Sequence, residues 1–284
     1  MVYAGLTDVG RMRETNEDAF GIDRQLGLMV VADGLGGHPA GEVAAAFVVE
    51  ALPRQLAMGR AAGLEDAQGP AQLLSQSLLI VAEQLHDLGR VRPEQEGMTA
   101  TLVAALVSDA ALLVAHLGDS RAYRLRNGHL ELLTRDHNLG NALRDAGVVH
   151  NGAQDIPEYH MLRRFVGMDQ PLPPDVGTFD LRQRDRYLLC SDGLTNMLDE
   201  EQIAETLGAD APCEEICRQM VSRANDAGGY DNVTVIVAQV QSVRADHASS
   251  GRVAQTVASL KPRGIPLVGA NNHSPLLHGT SQKG

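Results

Sequence analysis

Aromatic side chains are scarce in this sequence. Phe, Tyr and Trp together make up 3% of 284 residues, and Trp is absent. The interior must therefore be built from Ala, Val, Leu and Ile, and a hydrophobic content of 44% suffices for a globular core. Cysteine is sparse too. Cys190, Cys213 and Cys217 form no disulfide framework and lack the ligand spacing of a zinc site, so buried free thiols are expected. No apolar run approaches the ~18 residues of a membrane span. No basic segment leading into an apolar run opens the chain, and the expectation is a cytoplasmic monomer without membrane association. Positive charge is the minority, with 24 Lys and Arg against 36 Asp and Glu, net −12. A surface of that sign repels phosphate backbones and argues against a nucleic-acid partner, while leaving cation binding open.

Several catalytic signatures are missing as well. There is no GxSxG elbow, no GxxxxGKS or GxxxxGKT loop, and no Cys leading into a Gly-rich phosphate-binding turn.

What is present is a series of short apolar runs that read as strands: Leu28 to Ala32, Thr101 to Val107, Ala110 to Leu117, Arg186 to Cys190 and Val233 to Val240. Ser108-Asp109 and Asn127-Gly128 mark tight antiparallel hairpins. Helical patterns span about Ala40 to Ala57 and Ala71 to Leu88, with a later pair near Glu200 to Leu207 and Pro212 to Ala227. Antiparallel strands with interposed helix pairs predict a layered α+β fold. Residues 138–174 are polar, broken by Gly and Pro, and read as an excursion from the sheet. The domain is expected to occupy residues 1–241. Residues 242–284 read as a basic, disordered tail: from 241 onward there are five Lys or Arg and one acid, net +4, leaving −16 for the rest.

Four times an apolar strand abuts an acid flanked by Gly, Ser or Asn: Ala32-Asp33-Gly34, Gly118-Asp119-Ser120, Ser191-Asp192-Gly193 and Tyr230-Asp231-Asn232. Turn chemistry accounts for any one of these. It does not explain why each acid is anchored to a rigid apolar strand. Rigid carboxylates converging from strand ends suit Mg²⁺ or Mn²⁺, which prefer oxygen ligands in octahedral geometry. Two such ions would activate a water for in-line attack at phosphorus without a protein nucleophile.

These motifs, in order, resemble those of the PPM or PP2C-like metal-dependent serine/threonine phosphatases, in their bacterial branch. The resemblance runs from about Tyr3 to Val240. It is carried by Arg13-Glu14-Thr15-Asn16-Glu17-Asp18, Asp33-Gly34-Leu35-Gly36-Gly37-His38, Gly97-Met98-Thr99, Gly118-Asp119-Ser120-Arg121, Thr134-Arg135-Asp136-His137, Ser191-Asp192-Gly193 and Asp231-Asn232-Val233-Thr234. It implies a four-layer αββα sandwich, two central antiparallel sheets flanked by antiparallel helix pairs, and hydrolysis of phosphoserine and phosphothreonine in proteins.

By position, Asp33 resembles the carboxylate that bridges two core Mn²⁺ or Mg²⁺ ions, and Gly34 a carbonyl ligand. Asp192 and Asp231 resemble ligands of the other ion, and Asp119, with Asp192, the holder of a third. Arg13 resembles the arginine that receives substrate phosphate; a surface pair with Glu14 or Glu17 is the plainer alternative. Glu17, Asp18 and Asn232 resemble residues that support the ligands or orient water. In some eukaryotic relatives a His directly follows the Asp-Gly pair as leaving-group acid. Here that place is Leu35, and His38 is either an acid facing the site or a structural His at a helix start.

The excursion corresponds to a flap over the site, where Arg163 and Arg164 either meet a phosphoprotein, stay solvated, or pair with Glu158 or Asp169. A serine/threonine kinase of the same cell is the implied opposing partner. A phosphatase with a narrower substrate, or a non-catalytic module of the same fold, are the alternatives.

Overall fold

The run Leu28-Met29-Val30-Val31-Ala32 shows no polar alternation, the pattern of a strand covered on both faces. A computed structural model of the chain describes residues 1–35, 40–91, 97–148 and 156–242. In it this run opens β3 (Leu28–Leu35). Leu28, Val30 and Ala32 point into one core, and Met29 and Val31 into another. The first core lies against α1 (Ala40–Ala61) and α3 (Pro70–Val91), which are joined through α2 (Leu64–Gln68). The second is filled from both sheets, by Val103, Ala105, Leu112, Val114, Tyr187, Leu189 and Ile236 among others.

A third core lies on the far side, where α6 (Glu200–Gly208) and α7 (Cys213–Asp226) bury Ile203, Ile216 and Met220. The four layers expected from the resemblance are therefore present.

One sheet runs β1 (Val2–Asp8), β11 (Val233–Gln239), β10 (Arg186–Cys190), β7 (Arg121–Arg126), β8 (His129–Leu132). The other runs β2 (Asp18–Asp23), β3, β5 (Leu102–Ser108), β6 (Ala111–Leu117), β9 (Asp175–Asp180), with β4 (Thr99–Ala100) paired to the end of β3. All pairings between these strands are antiparallel. At the Asn127-Gly128 hairpin both residues adopt positive φ, as a tight two-residue link requires; the other link falls one residue later than expected, at Asp109-Ala110, because Ser108 pairs with Ala111, and Asp109 there has positive φ.

Besides the two-residue β4, three strands fall outside both the apolar runs and the expected hairpins: β1, β2 and β9. All three are sheet edges. Their segments carry Gly and acids and are mostly half-buried or exposed, so the continuous apolar signal of a central strand is missing.

The three cysteines are buried and free. Among the described residues no helix is long and apolar enough to cross a membrane. The excursion holds α4 (Leu139–Asp145) and a 3-10 turn, Pro157–His160. Its return is more firmly tied than its polarity suggests. Leu162 bridges Asn138, and Val166 bridges Ala100 while fully buried in the first core. Residues 243–284 of the expected 242–284 tail, and His38, lie outside the described residues.

Candidate active site

Antiparallel strands bring alternate ends to one edge of the sandwich. The ends of β3 and β6 and the starts of β2 and β7 meet there with the end of β10 and the start of β11, and every acid singled out in the sequence sits at this edge. Asp33 is not at a strand end, as its turn-like neighbour implied, but inside β3, opposite Asp18 of β2. Thr101 pins it there. The Thr101 amide donates to the Asp33 carbonyl (2.8 Å), and the Asp33 amide donates to Thr101 Oγ1 (3.3 Å). Thr101 Oγ1 and Ser120 Oγ lie 2.6 Å apart, tying Asp33 to the loop that carries Asp119.

Asp192 also departs from a simple loop position. It is the first residue of a short helix, α5 (Asp192–Thr195), with Ser191 at the N-cap position. The Ser191 hydroxyl donates to Asp18 Oδ2 (2.7 Å) and accepts from the Thr234 amide (3.0 Å), which joins the two sheets at the site. Gly193 lets this turn approach the Asp231-Asn232 turn: a Cβ there would stand 2.0 Å from the Asn232 carbonyl oxygen. Gly34 is equally confined, since its Cβ would fall 2.2 Å from the carbonyl oxygen of Gly41.

Asn232 is the joint of the region. Its Oδ1 accepts from the Glu17 amide (2.8 Å), and its Nδ2 donates to the carbonyls of Val9 and Thr15 (both 2.9 Å). The Glu17 carboxylate lies against Gly41, and the Glu17 carbonyl accepts from the Gly34 amide (3.1 Å). Arg13 pairs with neither Glu14 nor Glu17. Its Nη2 donates to Asp231 Oδ2 at 2.8 Å from a side chain that is 45% exposed.

The electrostatics are those of like charges forced together. Burial and then the charges of Asp18, Asp192, Asp119 and Asp231 hold the Asp33 carboxyl well above its usual range. Burial raises Asp18 to about 7, against the lowering effect of its Thr234 and Ser191 hydroxyls. Asp119 is raised to about 7 by burial and by Asp192, and Asp192 is raised by burial and by Asp231. Asp18 Oδ1 is buried without a hydrogen-bond partner. An orphaned carboxylate oxygen and four carboxyls with raised proton affinity fit a cation site made of oxygen donors. The residues present therefore suit divalent ions.

The protein phosphatase 2C family matches residues 11–242. The chain belongs to this family. It is 35% identical over 243 residues to the serine/threonine phosphatase stp of Listeria monocytogenes, covering 82% of this chain and 93% of that one. It is 35% identical over 242 residues to the serine/threonine protein phosphatase PstP of Mycobacterium tuberculosis, covering 84% of this chain and 45% of that longer protein. The crystal structure of the Mycobacterium tuberculosis phosphatase superposes with a TM-score of 0.75 at 33% identity, over 85% of this chain and 99% of that one. A second structure, of the PstP catalytic domain in complex with two manganese ions, gives 0.71 at 33% identity, over 85% and 98%.

For this phosphatase 2C chain, the structure brings together Arg13, Glu17, Asp18, Asp33, Gly34, Asp119, Asp192, Asp231 and Asn232. Three hydroxyls were not singled out: Thr101, Ser120 and Ser191. Ser120 and Ser191 lie inside quoted motifs and Thr101 opens a quoted apolar run, but a hydroxyl that bridges two strand ends has no local sequence pattern. Arg164 is also paired differently from the expectation. It donates to Asp175 Oδ1 (2.9 Å), with His137 Nε2 at 2.9 Å, and meets neither Glu158 nor Asp169. The other ring nitrogen, His137 Nδ1, accepts from the Gly118 amide (3.1 Å), bracing the residue before Asp119.

Proposed function

We propose that this metal-dependent phosphatase hydrolyses phosphoserine and phosphothreonine in protein substrates. Asp33, Gly34, Asp192 and Asp231 would hold two Mn²⁺ or Mg²⁺ ions, and Asp119 with Asp192 a third. The observation that carries this is the convergence of Asp18, Asp33, Asp119, Asp192 and Asp231, each carboxylate anchored to a sheet, beside one exposed guanidinium. When bound, a pair of such ions activates water as a nucleophile and neutralises charge on the phosphoryl oxygens.

The chain's own residues do the rest. Asp33, fixed through Thr101 and Ser120, sets where the ligands meet. Asp18 and Glu17, placed by Ser191 and Asn232, accept hydrogen bonds from water at the site and orient it. Arg13 is exposed enough to turn from Asp231 toward an entering phosphate, whose oxygens match its planar fork of donors.

Supply of substrate falls to a serine/threonine kinase of the same cell, and the chain acts as a cytoplasmic monomer. A narrower phosphoprotein substrate is compatible with the same ligands.

The test is hydrolysis of p-nitrophenyl phosphate and a phosphothreonine peptide with Mn²⁺, with Mg²⁺ and with chelator. Activity is expected only with metal; turnover that survives chelation refutes the proposal.

A further inference from the structure

A cavity of about 320 Å³ opens between α4, the 3-10 turn and the strand pair β7–β8. Its walls include Arg121, Arg135, Arg144, His160 and Tyr159, with Asp136 as the acid among them. In a chain of net charge −12 a concavity of positive sign stands out. Asp136 is fully engaged by Arg121, whose Nε and Nη2 reach its two oxygens at 2.9 and 2.7 Å. Arg135 is balanced by Asp145 (2.6 Å), which lies outside the lining. Arg144 has no carboxylate among the described residues: its side-chain partner is the neutral amide oxygen of Asn141. One cation is thus left over in a cleft rich in donors.

The cavity has a built wall. Gly140 is buried, and a Cβ there would come within 3.1 Å of the Tyr159 ring, so the glycine lets the 3-10 turn close on α4. Its floor is next to the catalytic edge. Arg121 is two residues past Asp119, and its charge is felt at the Asp119 carboxyl. Two residues and one arginine side chain put the cleft on the order of 10–15 Å from the proposed ions, a span of about three to five extended residues.

We propose that this cleft binds an anionic side chain of the polypeptide substrate, about three to five residues from the phosphorylated one. Carboxylate and phosphate present the same chemistry to Arg144, a fork of anionic oxygens. The inference rests on the phosphoprotein reading above and adds a preference to it: a substrate with an acidic or second phosphorylated residue at that separation is held at two points, and one without it at a single point.

The test uses fluorescent peptides in which phosphothreonine is replaced by its non-hydrolysable phosphonate, so that binding is read apart from turnover. Four residues away on either side the peptides carry Ala, Glu or a second phosphonate. With the full chain and Mn²⁺, at least one anionic peptide is expected to bind about tenfold more tightly than its Ala counterpart, the value of one charge-assisted hydrogen bond. Gain with Glu identifies a carboxylate; gain with the second phosphonate alone identifies phosphate. Arg144→Gln and Arg144→Glu should each bring the ratio close to one. Equal binding by the wild type, or an anionic advantage that survives Arg144→Glu, overturns the proposal. Hydrolysis of p-nitrophenyl phosphate, run in parallel, reports the metal reading alone. Its failure refutes that reading without altering the peptide ratios.

Discussion

Asp33 carries two burdens that pull in opposite directions: it is buried among like charges, and it is the residue most central to the proposed chemistry. Replacing it with Asn removes one repelling charge and keeps the shape. The metal-free Asp33→Asn protein should therefore melt higher than the metal-free wild type while losing about 10³-fold or more in kcat on p-nitrophenyl phosphate, as loss of the proposed metal ligand would entail. Thermal melts in chelator and steady-state rates in Mn²⁺ check the two halves separately. Arg13 makes a different prediction, because its side chain is half exposed and binds through its donors. Arg13→Ala should raise KM for a phosphothreonine peptide about tenfold, and leave the Mn²⁺ affinity, measured by calorimetry, within a few-fold of wild type. Gly193 is a steric test. A methyl group there has no room against the Asn232 carbonyl, so Gly193→Ala should cost about 2 kcal/mol in chemical denaturation and displace Asp231 enough to reduce activity.

Strands explain both why the site forms and which parts of it could be read in advance. β3, β5, β6, β10 and β11 are buried on both faces, so their apolar runs stand out, and the acids next to them could be picked from the sequence by position. Edge strands could not. β2 begins at Asp18, and the acid that opens a half-buried edge gives no sign that it will lie directly opposite Asp33. The support by Thr101, Ser120 and Ser191 was hidden for a related reason, since each hydroxyl acts between strands far apart in the chain. The same elements carry a purely structural device at their other ends. Asp185, at the start of β10, receives Arg126 from β7 through two bonds of 2.8 and 2.6 Å, and Tyr187 Oη at 3.2 Å. Asp185 is 2% exposed, and Arg126 keeps its second carboxylate partner, Asp180, at 3.1 Å, so Asp185→Ala removes two charge-assisted bonds without stranding the guanidinium and should cost about 2 kcal/mol. β10 spans Arg186–Cys190, so this pair lies roughly 17 Å from the far end of the strand, which leads into Asp192. Under native conditions kcat should hold within about twofold of wild type, separating stability from catalysis.

The molecule as a whole is two sheets whose mutual repulsion is concentrated at one edge. Asp18, Asp33 and Asp119 are borne by one sheet and its loops, Asp192 and Asp231 by the other. The pH dependence follows from the raised carboxyls. Between an unfolded carboxyl value near 4 and the folded values of about 7 at Asp18 and Asp119, the folded chain binds more protons than the unfolded one. Stability from these groups is full below the unfolded value and is lost as pH rises through about 7. The metal-free protein should therefore melt at least about 5 °C lower at pH 8 than at pH 5.5, and Mn²⁺ at pH 8 should restore most of the difference. The Ser191–Asp18 bond that crosses between the sheets then gains a meaning beyond geometry. With the proposed ions at this seam, counter-charge would help keep it shut, and the ion supply would bear on the protein's lifetime as well as its rate. Chains stripped of the proposed ions are expected to open first at this edge and to be cleaved sooner by an added protease, with Mn²⁺ or Mg²⁺ restoring their resistance.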